Sequence, residues 1–323
     1  MRVFCQRAKV KHKGYSGPLQ RVLTDFGADE SFVGATKKVR EHYGTEVPAS
    51  GVRQQTLAHA KAIGGVELDV PKAAVNTLIT EMDGCMLPIV QPTCEAGVDR
   101  RKGKQLFWRE ARLCCARSKD VVDCLYGATF GSVNLAGLLW RQTACLAGLG
   151  PQTRIHGLGD GAPWIVSTFQ EQFGCGPEAK ATYTIDFHHV SDYLAAAALA
   201  VAPERNKDWL HEQQGYLLQN GVEQVLSTLE SKLENTQQKD APVRSAHGYI
   251  SERKGYMDYA AAKVAELPIG SGEVESGHKH VLQKRLKIAG AWWREPNAEA
   301  VLQLRTARAN KLWDKYWLAF NRN

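Results

Sequence analysis

Three strand-like runs follow one another before any helix intervenes, and strands and helices alternate thereafter; this order constrains the chain more than any other feature. The runs are Thr77 to Val90, Lys104 to Ala116 and Cys124 to Phe130, with residues 96–103 (AGVDRRKG) as the first connecting turn. Consecutive strands with short connections form an antiparallel meander. Asn134 to Gly148 then shows helical periodicity, with Leu135, Leu138, Leu139, Gln142 and Leu146 on one face. Thr153 to Ile165 reads as a buried strand that delivers Asp160 into a Gly-Asp-Gly turn, followed by a helix from Phe169 to Phe173 and a fifth strand from Ala181 to His189.

The β-β-β-α-β-α-β order describes an α/β chain with a ribonuclease H-like mixed sheet, one acid (Asp83) on the first strand and another (Asp160) at the end of the fourth. Residues 192–266 are almost wholly helical, clearest from Asn206 to Leu233, with a loop at residues 234–241; they read as an insertion that explains the 115 residues between Asp160 and Glu275. Ahead of the sheet, Pro18 to Phe26, Ser31 to Tyr43 and Ser50 to Ile63 are three helical stretches, the last capped by its serine. Two short helices, a Gly-containing turn and a third helix bearing Arg53, Gln54, Gln55, Thr56 and His59 fit a small all-α helix-turn-helix domain as well as an ordinary helical cap. Arg and Gln read base edges, and Thr suits phosphate. The expected organisation is a basic arm and helix-turn-helix over 1–65, the first part of the catalytic core over 66–191, the helical insertion over 192–266, and the last part of the core over 267–323.

The block from Gly270 to Lys287 (GSGEVESGHKHVLQKRLK) places carboxylates at the mouth of a strongly basic helix. With Ser271 as cap and about 100° per residue, Val274, His278, Val281, Leu282, Leu286 and Ala289 form an inward stripe. Glu275 lies on its edge, whereas Glu273 shares a solvent or phosphate-facing side with His280, Lys284 and Lys287. An acid in a first helical turn is often only a dipole partner, so its function depends on the acids elsewhere. Asp83, Asp160 and Glu275 each lie close to glycine; Asp83 alone reads equally as a strand-end acid, and Asp160 as a turn-former. Together, three carboxylates suit two Mg2+ or Mn2+ ions, hard cations that take oxygen ligands and serve phosphodiester chemistry.

Charge is distributed to match. Of the net +7, residues 1–63 carry +6 and residues 279–323 carry +7, which leaves the centre at −6. Two basic ends around an acidic centre suit a protein that grips a polyanion, although a solvated charge face gives the same totals. Eight cysteines form neither a Cys-x-x-Cys pair nor a zinc pattern, and Cys114 and Cys115 read as small core residues. With no apolar run of membrane-spanning length and a polar, basic start, the chain reads as soluble, cytoplasmic and reduced.

Gly159-Asp-Gly-Ala-Pro-Trp-Ile165, Asp186-Phe-His-His189, Gly270 to Ser276 with Gln283-Lys-Arg-Leu-Lys287, and Gly290-Ala-Trp-Trp293 with Leu304-Arg305 resemble a bacterial insertion-sequence transposase of the ISKra group, from about residue 15 to the C-terminus. The resemblance implies a DDE transposase whose acids are Asp83, Asp160 and Glu275, acting with magnesium on the double-stranded DNA of element ends and target, as a homodimer or higher assembly near the nucleoid. Asp186 and His189 are similar to the Asp-x-x-His of Mutator-like enzymes, in which the His handles the DNA strand; by residue type alone His189 is equally a core histidine. Lys279, Lys284, Arg285 and Lys287 would hold backbone phosphates. Trp292 and Trp293 either pack in the core or stack on an unpaired base. Members of the group extend further at the N-terminus, so a shortened or domesticated copy, a DNA-binding regulator without catalysis, stands beside the transposase, and a structure-specific nuclease of the same fold is a third reading.

Overall fold

The computed structural model describes residues 14–64, 66, 73–92, 103–174, 180–235 and 237–322. Most of the basic arm expected over residues 1–16 and most of the 96–103 turn lie outside them. Three helices come first: α1 (Gly17–Asp29), α2 (Phe32–Tyr43) and α3 (Ala49–Ile63). Ser16 and Ser31 cap the first two, accepting N–H groups of Leu19 and Gly34. The expected cap at Ser50 is absent; α3 starts directly after Pro48, whose fixed φ suits a helix entry.

Five strands form one mixed sheet: β1 (Thr77–Pro92), β2 (Lys104–Ser118), β3 (Leu125–Thr129), β4 (Arg154–Gly159) and β5 (Ala181–Ile185). Their spatial order is β3-β2-β1-β4-β5, antiparallel across the first three and parallel across β1-β4-β5. Helices α4 (Val133–Leu146) and α5 (Pro163–Phe173) connect the later strands. Two boundaries differ from the sequence reading. The fourth strand stops at Gly159, because Gly161 takes φ +76° and Pro163 sits in the first turn of α5. The fifth stops at Ile185, because the Asp186 carboxylate accepts the N–H groups of His188 (2.6 Å) and His189 (3.1 Å) and so opens helix α6 (Phe187–Val201).

The helical run continues as α7 (Asn206–Leu217), α8 (Val222–Glu230), α9 (Pro242–Arg253) and α10 (Tyr259–Val264). The expected long helix breaks between α7 and α8, where Asn220 takes φ +61° ahead of Gly221. These helices share one core with a face of the sheet: Trp140, Phe169 and Met82 belong to the same buried cluster as Leu194, Trp209, Leu229 and Tyr259. The chain then forms α11 (Gly272–Gly277), a π-helical turn (His278–Gln283), a last turn α12 (Lys284–Leu286), α13 (Glu295–Ala309) and α14 (Trp313–Arg322).

Alternation along β1 divides its side chains between the two faces. Leu78, Thr80 and Met82 point to the α4 and α5 side, where Trp140 donates to Thr80 Oγ1 at 2.6 Å. Glu81, Cys85, Leu87 and Ile89 point the other way, toward Val274, Val281, Leu282, Trp293 and Val301. The N-terminal helices fasten to the C-terminal ones: Ala28, Ala60 and Ile63 are buried with Leu304, Tyr316 and Trp317.

Candidate active site

Asp83 and Asp160 meet because β1 and β4 run parallel in a defined register. Glu81 pairs with Leu158 at the end of the ladder, and two more residues along each strand set Asp83 beside Asp160. Asp160 is fixed by its own turn: its carboxylate accepts the Ala162 N–H at 2.8 Å, its carbonyl accepts the Tyr249 hydroxyl, and Arg253 Nε donates to the Gly161 carbonyl at 2.9 Å. Both clamping side chains come from α9, so the helical run reaches into the site. A Cβ on Gly161 would fall 2.3 Å from the Ile185 side chain, and its φ is left-handed besides, so only glycine fits that turn.

Electrostatics mark Asp83. Burial, aided by the carboxylates of Asp160, Glu110 and Glu275, pushes its acid up to about 7, against the pull of the Gly84 N–H it accepts at 2.6 Å. On the facing helix, His278 Nδ1 lies 3.4 Å from Asp83 Oδ2. Burial presses that imidazole down to about 4, so it is neutral near pH 7. Its Nε2 is buried with no partner among the described residues.

Helix α11 carries Glu275 near enough to add to the rise of Asp83, with the burial of its two acids reversed from expectation. Glu275 is exposed, whereas Glu273 is half-buried and paired with Arg117 of β2 at 3.1 Å. Ser271 does not cap α11; its N–H (2.7 Å) and hydroxyl both go to Asp186 Oδ2. Close approach of helix and sheet depends on Gly277, where a Cβ would stand 2.7 Å from both Leu113 and Tyr126.

Glu81, which the sequence reading passed over, is the most deeply buried acid here at 1% exposure. Its Oε2 accepts the Val274 N–H at 2.8 Å, while Oε1 is buried without a partner among the described residues. Burial pushes it up to about 8, so it is mostly a neutral acid at pH 7. Its place two residues before Asp83 on one strand face was the available signal.

The remaining candidates divide. Lys279 and Lys287 are exposed, and Lys284 is half-exposed with its ammonium 3.7 Å from Asp29. Arg285 is buried, its Nε donating to the Gly27 carbonyl at 2.9 Å and its guanidinium lying between the rings of Phe32 and Trp293. It cannot hold a phosphate; seven residues after His278 and four after Val281, it falls within the inward stripe itself, while Ala289 of that stripe lies beyond the last helical turn and is exposed. Arg53 and Gln54 are exposed on α3 and Gln55 is half-buried, but Thr56 and His59 are core. Thr56 donates to the Val52 carbonyl, and His59 is bound by Tyr316 and Gln20.

Asp186 is buried and joins α6 to Ser271 through four accepted hydrogen bonds. His189 is half-buried, its ring 5.5 Å from that of Tyr249, the residue that holds Asp160. Trp293 is buried and Trp292 half-exposed.

The donors gathered around Asp83 are carboxylates, which suit a hard divalent cation. The elevation of Asp83 comes first from burial, and the neighbouring carboxylates add to it. Among the described residues, however, no group of three His, Cys, Asp or Glu side chains converges to metal-holding distance. No protein-family model matches the chain. No curated protein matches it. Among solved structures it is similar, at 8% identity, to a chain of the Drosophila P element transposase strand transfer complex, over 97% of this chain and 83% of that one with a TM-score of 0.35; a likeness of that order leaves the chemistry of the site to be argued from its residues.

Proposed function

We propose that the chain is a divalent-metal-dependent DNA-cleaving and strand-transferring enzyme of the DDE type on a ribonuclease H-like sheet, with Asp83, Asp160 and Glu275 as its acids. The observation that carries this reading is the parallel register of β1 and β4, which sets Asp83 beside Asp160; Asp83 is raised there first by burial and then by its neighbouring carboxylates. Magnesium or manganese, bound there, would activate a water or a 3′-hydroxyl and stabilise the leaving oxygen. Asp83 and Asp160 hold fixed oxygens, one positioned by β1 and the other by its clamped turn. Glu275, exposed on the facing helix, has the side-chain freedom to close onto them.

His278, neutral and with Nδ1 3.4 Å from Asp83 Oδ2, walls that carboxylate on the helix side. Lys279 and Lys287 supply exposed charge for backbone phosphates, and α3 presents Arg53 and Gln54 outward for end recognition. Joining two DNA ends calls for two copies of the chain. The absence of a closed three-ligand group among the described residues favours a second reading, a DNA-binding regulator that does not cut.

The test is a nicking assay on an element-end duplex. Wild type with Mg2+ or Mn2+ should nick, and Asp160→Asn should not. Wild type that binds DNA but never cuts with either metal would establish the regulator.

A further inference from the structure

β1 and β2 run on beyond the rest of the sheet. β4 pairs with β1 only over Thr77–Glu81, and β3 pairs with β2 only over Arg112–Ala116, whereas β1 and β2 stay paired out to Pro92 and Lys104. The outer part is therefore a two-stranded arm, touched at one point by Trp293, whose carbonyl accepts the Val90 N–H at 2.7 Å. One face of it is covered: Cys85, Leu87 and Ile89 pack with Leu286, Trp293 and Leu302. The opposite face is open except at Val90, which is buried. Register places Met86 opposite Glu110, Pro88 opposite Trp108, Val90 opposite Leu106 and Pro92 opposite Lys104. On that face Met86 is 47%, Leu106 50% and Trp108 53% exposed, a contiguous apolar strip rather than scattered surface residues.

Two cations accompany its rings. Lys104 Nζ stands 3.6 Å from the centroid of Trp292, itself 50% exposed, and Lys287 Nζ stands 5.7 Å from that of Trp108. From Lys104 to Trp108 the strand rises about 13 Å, at about 3.3 Å per residue.

We propose that this arm face is a stacking platform for unpaired nucleotides, with Trp108 and Trp292 taking bases and Lys104 and Lys287 the neighbouring phosphates. The inference rests on reading the chain as one that acts on DNA. Charge complementarity selects the occupant: two half-open rings, each with an ammonium against it, match a polyanion that carries flat apolar groups, and base-on-ring stacking tolerates any sequence. A duplex keeps its bases inside and presents nothing for the rings to stack upon. Trp108 and Met86 lie on the face of the arm opposite that of Asp83, and occupancy of the platform needs neither metal nor catalysis.

The experiment measures binding of a fluorescein-labelled single-stranded oligonucleotide and of an element-end duplex by anisotropy, in EDTA. Trp108→Ala and Trp292→Ala should each weaken single-strand affinity about tenfold, and Trp108→Phe should restore most of the loss, while duplex affinity changes less than twofold. Leu199→Ala, far from the arm and 64% exposed, serves as the control and should change neither. Unchanged single-strand affinity in both tryptophan variants, with circular dichroism showing them folded, would overturn the platform. So would unchanged affinity together with loss of a dimer on sizing with light scattering, which would make the strip a contact between copies. The two proposals fail separately: tryptophan-dependent strand binding in a protein that never cuts keeps the platform and removes the enzyme, and cutting without tryptophan-dependent binding does the reverse.

Discussion

Glu81 accepts the backbone N–H of Val274 at 2.8 Å, and this bond ties the strand that carries Asp83 to the helix that carries Glu275. Because the acid is buried and pushed up to about 8 from an ordinary 4.5, the folded protein holds its proton where the unfolded chain has released it. Stability from this group is full below about 4.5 and is lost as pH rises toward 8, with a slope of at most about 1.4 kcal/mol per pH unit. Glu81→Gln keeps an acceptor for Val274 and cannot ionise. Urea unfolding at pH 5.5 and 8.5 should show the variant losing much less stability than wild type between the two; equal losses would mean that Glu81 ionises freely in the fold.

Asp83 titrates in the same direction, from 3.8 up to about 7. The metal-free protein is therefore strained by this carboxylate once it ionises. Asp83→Asn should stabilise it at pH 8 by on the order of 1 kcal/mol and abolish cleavage. Millimolar Mg2+ or Mn2+ should raise the melting temperature of wild type and leave the variant unmoved, as thermal scans with and without metal would record. A larger metal shift in the variant would place the cation elsewhere.

Tyr249 and Arg253 hold the backbone of Asp160 and Gly161. Tyr249→Phe removes one hydroxyl and almost no volume, so stability should fall by about 1 kcal/mol. Cleavage should fall about tenfold or more, because the backbone that carries the carboxylate is held less firmly. Single-turnover nicking beside a melting curve separates the two effects. A variant as active as wild type would show that the α9 clamp is structural only.

Arg285 and Lys287 are two residues apart and should behave oppositely. Arg285→Ala leaves the Gly27 carbonyl unpaired and opens space between Phe32 and Trp293, a loss of about 2–4 kcal/mol; Arg285→Lys, without the planar fork, should recover little of it. Lys287→Ala should leave stability within about 0.5 kcal/mol and lower the slope of log affinity against log salt by about one. Denaturant midpoints and salt-titrated DNA binding check both.

Periodicity explains how much of this was legible in the sequence. The three N-terminal helices, the three long or apolar strands and the acids Asp83 and Asp160 follow from local pattern, since alternation and Gly-flanked turns are written in neighbouring residues. Glu81 shares the strand face of Asp83 by spacing alone, but a buried acid that works as a neutral hydrogen-bond acceptor looks in sequence like any polar residue of a strand, so its burial was not legible. At about 100° per residue Arg285 already falls inside the stripe of Val274, His278, Val281 and Leu282; its charge, not its place on the helix, suggested a phosphate. The strand through Pro163 was drawn too long because the apolar Trp164-Ile165 pair fits a strand as well as a first helical turn. Tyr249 and Arg253 lie about ninety residues from the turn they clamp, a contact no local pattern encodes.

The central claim is that Asp83, Asp160 and Glu275 share divalent cations. A crystal of the protein soaked in manganese, with anomalous scattering collected at the manganese edge, tests it most directly. The account predicts a strong peak bridging the Asp83 and Asp160 carboxylates, with Glu275 turned toward it. Saturating manganese that leaves no peak between those two residues, or places one only at other side chains, would contradict it.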